Sequence, residues 1–378
     1  MAMFLSLWRE FVRFIRISRI GYSHFANHRW QKTCYNWAMA SKHSVIDKKN
    51  ILITGGAGFI GSHLCDALVR DHHVICMDNF STSTVANIEH LLQNPNFEFI
   101  NHDITQPFDL ATYSELERFK IKFQGIQEIY HLATPISKRH FEDFKIATVL
   151  TNSIGTKNVL DVAVANHSKV LYASSSALYG PRRPDRPFVS ETDPCTLDHL
   201  TPRGAYDEGK RFSESILETY ADVYGLDVKI SRIFRTYGPR MKIYDGNLLP
   251  DIINNALDGK DIELTATEDA RISLAYVSDI VDGLVRHMNT PVDVTVVNLG
   301  SDQEHYLSSI ASMVTKLCDS PSRIRFEPSA SGWTEAGLPD ISKARQVLGW
   351  LPLVRLEDGL RQMIDYSRSK RRESAVFA

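Results

Sequence analysis

The sequence predicts an α/β fold, a doubly wound parallel sheet of the Rossmann type with a smaller C-terminal lobe. Three observations predict it. From Asn50 to about Arg240 short apolar runs alternate with longer amphipathic segments, the runs falling at 51–54, 74–77, 97–100, 126–132, 170–173 and 228–233. Such alternation implies right-handed crossovers and a sheet covered by helices on both faces. The first run ends in Gly55-Gly56-Ala57-Gly58-Phe59-Ile60-Gly61, and an apolar-periodic segment follows at once. The second run, His73-Val74-Ile75-Cys76-Met77, ends at Asp78.

The glycine run is the strand, turn and helix of a dinucleotide site. Gly55 allows the turn, Gly58 lets backbone N–H groups approach a pyrophosphate, and Gly61 lets the helix pack on the strand while its N-terminus faces negative charge. Asp78 is placed to accept both ribose hydroxyls of an adenosine and to repel a 2′-phosphate, which favours NAD over NADP. The third run leads into Asn101-His102-Asp103-Ile104. There Asp103 either meets the adenine edge or caps a helix. The fourth ends in His131-Leu132-Ala133-Thr134-Pro135, a strand end at the crevice where a nicotinamide ribose would lie.

Past Arg240 the pattern loosens into helices at 248–257 and 280–287 and short strands at 295–299 and 324–327. We divide the chain into an N-terminal extension (1–48), a dinucleotide-binding domain (49–240) and a mainly substrate-binding lobe (241–370). With 378 residues, 43% of them hydrophobic, the chain can bury a sizeable core. A net charge of −2 gives no general pull toward nucleic acid. Cys34, Cys65, Cys76, Cys195 and Cys318 are scattered, with no metal-ligand spacing, and read as reduced thiols of a cytoplasmic protein. His63 reads as a packed core histidine, and no metal site is expected.

Residues 1–48 stand apart. Phe4, Leu7, Trp8, Phe11, Phe14 and Ile15 are interleaved with Arg9, Arg13 and Arg16, so no uninterrupted apolar span crosses a bilayer. Three readings stand: a basic amphipathic helix on a membrane or partner, a targeting segment, or an appendage packed on the main body.

The chemistry is carried by Ala205-Tyr206-Asp207-Glu208-Gly209-Lys210-Arg211. On a helix Tyr206 and Lys210 share a face, so the ammonium can hold a cofactor ribose while its field lowers the phenol pKa. Tyr206 then serves as general base. About 30 residues upstream, Ala173-Ser174-Ser175-Ser176-Ala177-Leu178-Tyr179-Gly180 is a strand end whose hydroxyls, Ser175 or Ser176, can share a substrate proton with Tyr206.

From about Asn50 to Tyr366 the chain resembles the extended short-chain dehydrogenase/reductase family, and within it the UDP-glucuronate decarboxylases. The resemblance rests on 54–63, Asp78-Asn79-Phe80, Asn101-His102-Asp103, Tyr130-His131-Leu132-Ala133, 206–211, Gly238-Pro239-Arg240-Met241, Tyr276-Val277-Ser278-Asp279 and Pro339-Asp340-Ile341. It implies a hydride shuttle on a nucleotide sugar with NAD as cofactor. The cofactor-facing positions would be Gly55, Gly58, Phe59, Ile60, Gly61, Asp78, Asn79, Asp103, Ile104, Leu132, Ala133, Tyr206 and Lys210. Asn152 would help to order the site, and Thr134, Pro135, Arg235, Arg240 and Arg271 would face a UDP-sugar. A homodimer built on the Tyr206 helix is typical of the family.

Three departures bear on the activity. Ala177 stands where the decarboxylases carry a glutamate, as in the serine-serine-alanine run of 4-epimerases. A diphosphate-gripping arginine four residues before Tyr276 is Ile272, with Arg271 one residue early. A one-residue shift on an extended segment turns the side chain to the opposite face unless a bulge intervenes. The family's arginine three residues before Asp340 is Gly337. Arg235, where the family has asparagine, either supplies the missing charge or pairs with a neighbouring acid. Three functions follow: a UDP-hexuronate decarboxylase, an NAD-dependent epimerase, dehydratase or dehydrogenase on another substrate, or a non-catalytic NAD-binding protein.

Overall fold

Parallel strands buried on both faces need near-continuous apolar sequence, and the short runs of this chain have it. In the computed structural model, which describes residues 48–136, 142–242, 245–327 and 336–376, they become β1 (Asn50–Thr54), β2 (His73–Asp78), β3 (Phe97–Asn101), β4 (Glu128–His131), β5 (Lys169–Ser175) and β6 (Val228–Ile233). A seventh strand, β7 (Val296–Leu299), lies beside β6. The sheet order is β7-β6-β5-β4-β1-β2-β3, and every pairing is parallel. The order reverses between β1 and β4, which opens a crevice at the strands' carboxyl ends.

Alternate residues of each strand serve opposite cores. Ile51 and Ile53 join the cluster packed by Leu64 of helix α1 (Phe59–Leu68), whereas Leu52 between them joins the cluster packed by Val159 of α2 (Thr156–Asn166) and Leu217 of α3 (Gly204–Tyr224). The side-chain period of two thus feeds both helical layers. The first layer also holds α4 (Val277–Asn289), which runs beside α1.

Residue 240 is therefore not a break between two bodies. The segment after it gives β7 to the main sheet and α4 to its covering layer, and from Lys48 onward the chain forms one compact unit. The crevice is bordered by the two-stranded pair Arg271–Ser273 with Glu304–Tyr306 and by helices α5 (Leu356–Val376) and Leu248–Leu257, and a second pair, Ile262–Leu264 with Ile324–Phe326, belongs to the same part of the chain. The readings of the N-terminal extension and Cys34 lie outside the described residues. The other four cysteines are unpaired.

Gly55 has φ +71°, a conformation that suits glycine, and its N–H donates to Met77 O at 2.8 Å. A Cβ on Gly61 would stand 2.2 Å from Gly55 O and 2.8 Å from Gly56 Cα. Both are backbone atoms of a tight turn and cannot swing away. Gly61→Ala is therefore expected to cost about 1–3 kcal/mol through overpacking. Thermal unfolding with and without NAD checks this: the variant should melt lower and gain less from the cofactor.

Candidate active site

At the crevice, α1 begins directly after Gly58 with no side-chain cap and no acidic residue in its first turn, so its N-terminal N–H groups and positive dipole end are left for a ligand. A Cβ on Gly58 would touch only Gly55 O, at 3.1 Å, its other side being the open cradle. The Asp78 carboxylate accepts from Ala57 N at 3.1 Å, Phe80 N at 2.9 Å and Ser83 Oγ at 2.7 Å, which fixes its position at the end of β2. Asp103 neither caps a helix nor stands alone. It accepts from Thr105 N at 2.9 Å, Thr105 Oγ1 at 2.8 Å and Asn79 Nδ2 at 3.2 Å. Partial burial pushes its pKa up, but these Thr105 and Asn79 bonds outweigh it and the net shift is downward.

Tyr206 and Lys210 lie on one face of α3. Lys210 Nζ donates to Ala173 O at 2.8 Å and sits 4.6 Å over the Tyr172 ring and 6.0 Å from the Tyr206 ring centre. Burial pulls the Lys210 pKa down to about 7, with Glu214 resisting. Tyr206 does not follow the sequence expectation. Burial raises its pKa, and the groups that oppose the rise are the neighbouring Ser175 hydroxyl and Arg203, with Lys210 absent from the balance. Desolvation disfavours the charged form of both partners, phenolate and ammonium alike. Ser175 also accepts from Ala177 N at 3.1 Å, while Ser174, one residue earlier on the strand, turns away to Glu214.

Asn152 sits in a π-helical turn, Thr151–Gly155, a local widening that often marks a functional site. Its Oδ1 accepts from Tyr172 OH at 3.0 Å and Thr134 Oγ1 at 3.2 Å, and its Nδ2 donates to Thr148 O at 2.8 Å. Gly209 of α3 faces it, and a Cβ there would come within 3.1 Å of the amide.

Gly55, Gly58, Asp78, Asp103, Ser175, Tyr206 and Lys210 border one cavity of about 1650 Å³, large enough for a dinucleotide and a second ligand, whereas Asn152 is buried behind its wall. Ser176, Phe59, Ile60, Ile104, Leu132, Ala133, Thr134, Pro135, Arg235, Arg240 and Arg271 border it too. Arg235 is largely buried, and burial followed by repulsion from Arg203 lowers its pKa. Arg240 has φ +69° and binds Asp66 of α1 at 2.8 Å, leaving its second terminal nitrogen buried without a partner among the described residues. Arg271 is exposed, stacked 4.5 Å from the Tyr306 ring centre and bonded to the Tyr306 hydroxyl at 2.7 Å, whereas Ile272 beside it is buried. The one-residue offset has the consequence expected of an extended strand. Near Gly337 the closest neighbour of an added Cβ is Val189, at 3.0 Å.

Residues 51–300 match the model of the NAD dependent epimerase/dehydratase family. The chain belongs to that family. UDP-glucuronic acid decarboxylase 1 of Xenopus tropicalis is 40% identical over 325 residues, 86% of this chain and 73% of that protein. UDP-glucuronic acid decarboxylase 3 of Arabidopsis thaliana is 36% identical over 315 residues, 82% of this chain and 86% of that one. Among solved structures, UDP-glucuronic acid 4-epimerase from Bacillus cereus, in complex with UDP-glucuronic acid and NAD, is 28% identical. It superposes with a TM-score of 0.73 and covers 85% of this chain and 99% of its own.

As an epimerase/dehydratase, this chain carries a cofactor cradle that fits NAD: an open glycine turn at a helix N-terminus, a carboxylate after β2, and a buried lysine facing the crevice. His63 is not a core residue of that cradle. It is half-buried on α1, edge-on to Phe59, with its Nε2 3.0 Å from Pro239 O. Sequence reasoning missed Arg203, which lies three residues before Tyr206 and borders the cavity beside Arg235. It also missed Tyr366 and Lys370 of α5, which reach the cavity across nearly the whole length of the chain. Arg203 was within reach of a closer reading of the Tyr206 segment. For the α5 residues no local signal exists.

Proposed function

We propose that the protein is an NAD-dependent enzyme that oxidises a UDP-hexuronate transiently at C4 and releases CO2, as a UDP-glucuronate decarboxylase does. The observation that carries the reading is the convergence of Ser175, Tyr206 and Lys210 on the same cavity as the glycine turn. NAD, when bound, supplies the acceptor and donor of hydride. The glycine turn and α1 would hold its pyrophosphate, Asp78 its adenosine ribose, and Lys210 its second ribose.

Tyr206, with Ser175 as its partner, takes the proton of the C4 hydroxyl as that carbon is oxidised. The ketone so formed lies β to the carboxylate on C5. Loss of CO2 leaves an electron pair that delocalises into the ketone, and C5 then takes a proton that comes from solvent. Tyr206 returns a proton to the C4 oxygen as the ketone is reduced again. The sequence is redox-neutral, so cofactor can stay in place. Arg203 and Arg235 bring positive charge to the substrate end, where charge-assisted bonds to a diphosphate or carboxylate are strongest. They support a dianionic substrate despite Ile272 and Gly337.

Ala177 favours a second reading. Without a carboxyl at this position the site resembles that of the 4-epimerases, and the ketone would be reduced on its other face with the carboxylate retained. Incubation with UDP-glucuronate and NAD, followed by mass spectrometry, separates the two. A UDP-pentose is expected for the decarboxylase. An isobaric UDP-hexuronate of the other C4 configuration would identify an epimerase.

We also propose a homodimer across α3 and the neighbouring helix Lys145–Leu150, which expose Phe212 (51%) and Val149 (46%) to solvent. Light scattering is expected to give twice the 42.8 kDa chain mass, falling to one chain mass in Val149→Arg/Phe212→Arg.

A further inference from the structure

Tyr206, Lys210 and Glu214 follow one another at four-residue intervals, so all three lie on the same stripe of α3. The first two face the cavity and Glu214 lies one turn deeper, buried. Its carboxylate accepts from Ser174 Oγ at 2.5 Å and from Arg232 Nε at 3.0 Å and Nη2 at 2.7 Å. Arg232, on β6, reaches on to Tyr179 OH at 3.0 Å, and that hydroxyl donates to Asn298 on β7 at 2.7 Å. One buried carboxylate thus ties α3 to three adjacent strands at the point where β5 delivers Ser175. Nothing in the oxidation step as derived uses it.

We propose that Glu214 is a positioning residue for this site: it fixes Ser174, and so the direction of the Ser175 hydroxyl, and it keeps Lys210 cationic in its buried seat. The inference rests on the reading of Tyr206 and Lys210 as the catalytic pair. Two observations make Glu214 suited to the role. Ser174 and Ser175 point to opposite faces of β5, so anchoring one sets the pleat that aims the other. Around Lys210 the facing groups are Tyr172 and the Ala173 carbonyl from β5, His131 from β4, and Tyr206 and Glu214 from its own helix. His131, fully buried with its pKa lowered to about 3, is neutral, so Glu214 is the anion that acts on Lys210.

The test is NADH affinity as a function of pH, which needs no substrate. An ammonium donates stronger hydrogen bonds to a ribose than a neutral amine does. Glu214→Gln removes the charge that holds the Lys210 proton, so Lys210 titrates at lower pH in the variant. At about pH 5.5 both proteins carry the ammonium and should bind alike, and the wild-type advantage should then grow with pH and level off near tenfold for each unit of pKa displacement. Glu214→Asp should restore the wild-type profile. Because Glu214→Gln strands the Arg232 charge and threatens folding, Glu214→Gln/Arg232→Gln is measured beside it, with a pH-dependent ratio of the same sense but smaller size expected, since the Arg232 cation leaves with the carboxylate. A ratio that does not change with pH in both variants overturns the role and leaves Glu214 a structural residue. Absence of NADH binding to the wild-type protein overturns the cofactor site, and this role with it.

Discussion

Replacing Tyr206 by phenylalanine is expected to lower turnover about 10²–10⁴-fold, the range for loss of a positioned general acid–base, while NADH affinity stays close to wild type. The ring of Tyr206 remains to pack on α3, and the cofactor contacts of Lys210 and the glycine turn are untouched. What is lost is the hydroxyl beside Ser175. In the cofactor-free protein that hydroxyl is held protonated by burial, as Lys210 is pulled toward neutrality by burial. A general base must be free to accept a proton, so activity is expected to rise with pH on its acid side. Stopped-flow absorbance of the reduced cofactor, alongside a binding titration, separates the two effects. Unchanged activity in the phenylalanine variant would assign the chemistry to another group.

The second large effect concerns Arg235. Arg235→Asn, which installs the family's residue, is expected to weaken UDP-glucuronate binding by about 1.5–3 kcal/mol, the value of a hydrogen bond to a charged group. That corresponds to roughly 10–150-fold in affinity. NADH binding should be unaffected. Calorimetric titration of both ligands checks it. Arg235 is largely buried near Arg203, which pairs with Asp207 at 3.3 Å, and burial and the Arg203 charge both work against the Arg235 cation. An anionic ligand beside Arg235 would offset that cost. Equal affinity in the variant would mean that the diphosphate is gripped elsewhere and that Arg235 serves the fold.

Much of the site was legible because its signals are local. Gly61 is required by contacts within a seven-residue turn, Gly55 by its φ of +71°, and Asp78 by its place at the end of the next strand. The Tyr206–Lys210 pair follows from helical spacing alone. The strand runs were legible for the same reason, since burial on both faces leaves continuous apolar sequence. What stayed hidden depends on distant pairing. The 295–299 run reads as a strand but not as the seventh strand of the main sheet, because its partner, β6, is far away in sequence. The Arg240–Asp66 and Arg232–Glu214 pairs are likewise set by packing between elements. The Tyr206 pKa moved opposite to expectation because spacing shows which groups share a face and says nothing of desolvation. Arg271 shows the converse: a period of two sufficed to turn it away from the position of Ile272.

The measurement that tests the account most directly is turnover of UDP-glucuronate carrying deuterium at C4, with the product read by mass spectrometry and NMR. Transient oxidation and re-reduction at C4 in a closed site predicts a UDP-pentose that keeps the deuterium at C4. Product that has lost the label to solvent, or a labelled substrate that is converted at the same rate as unlabelled material without any transfer at C4, would contradict the hydride shuttle on which the role of Tyr206 depends.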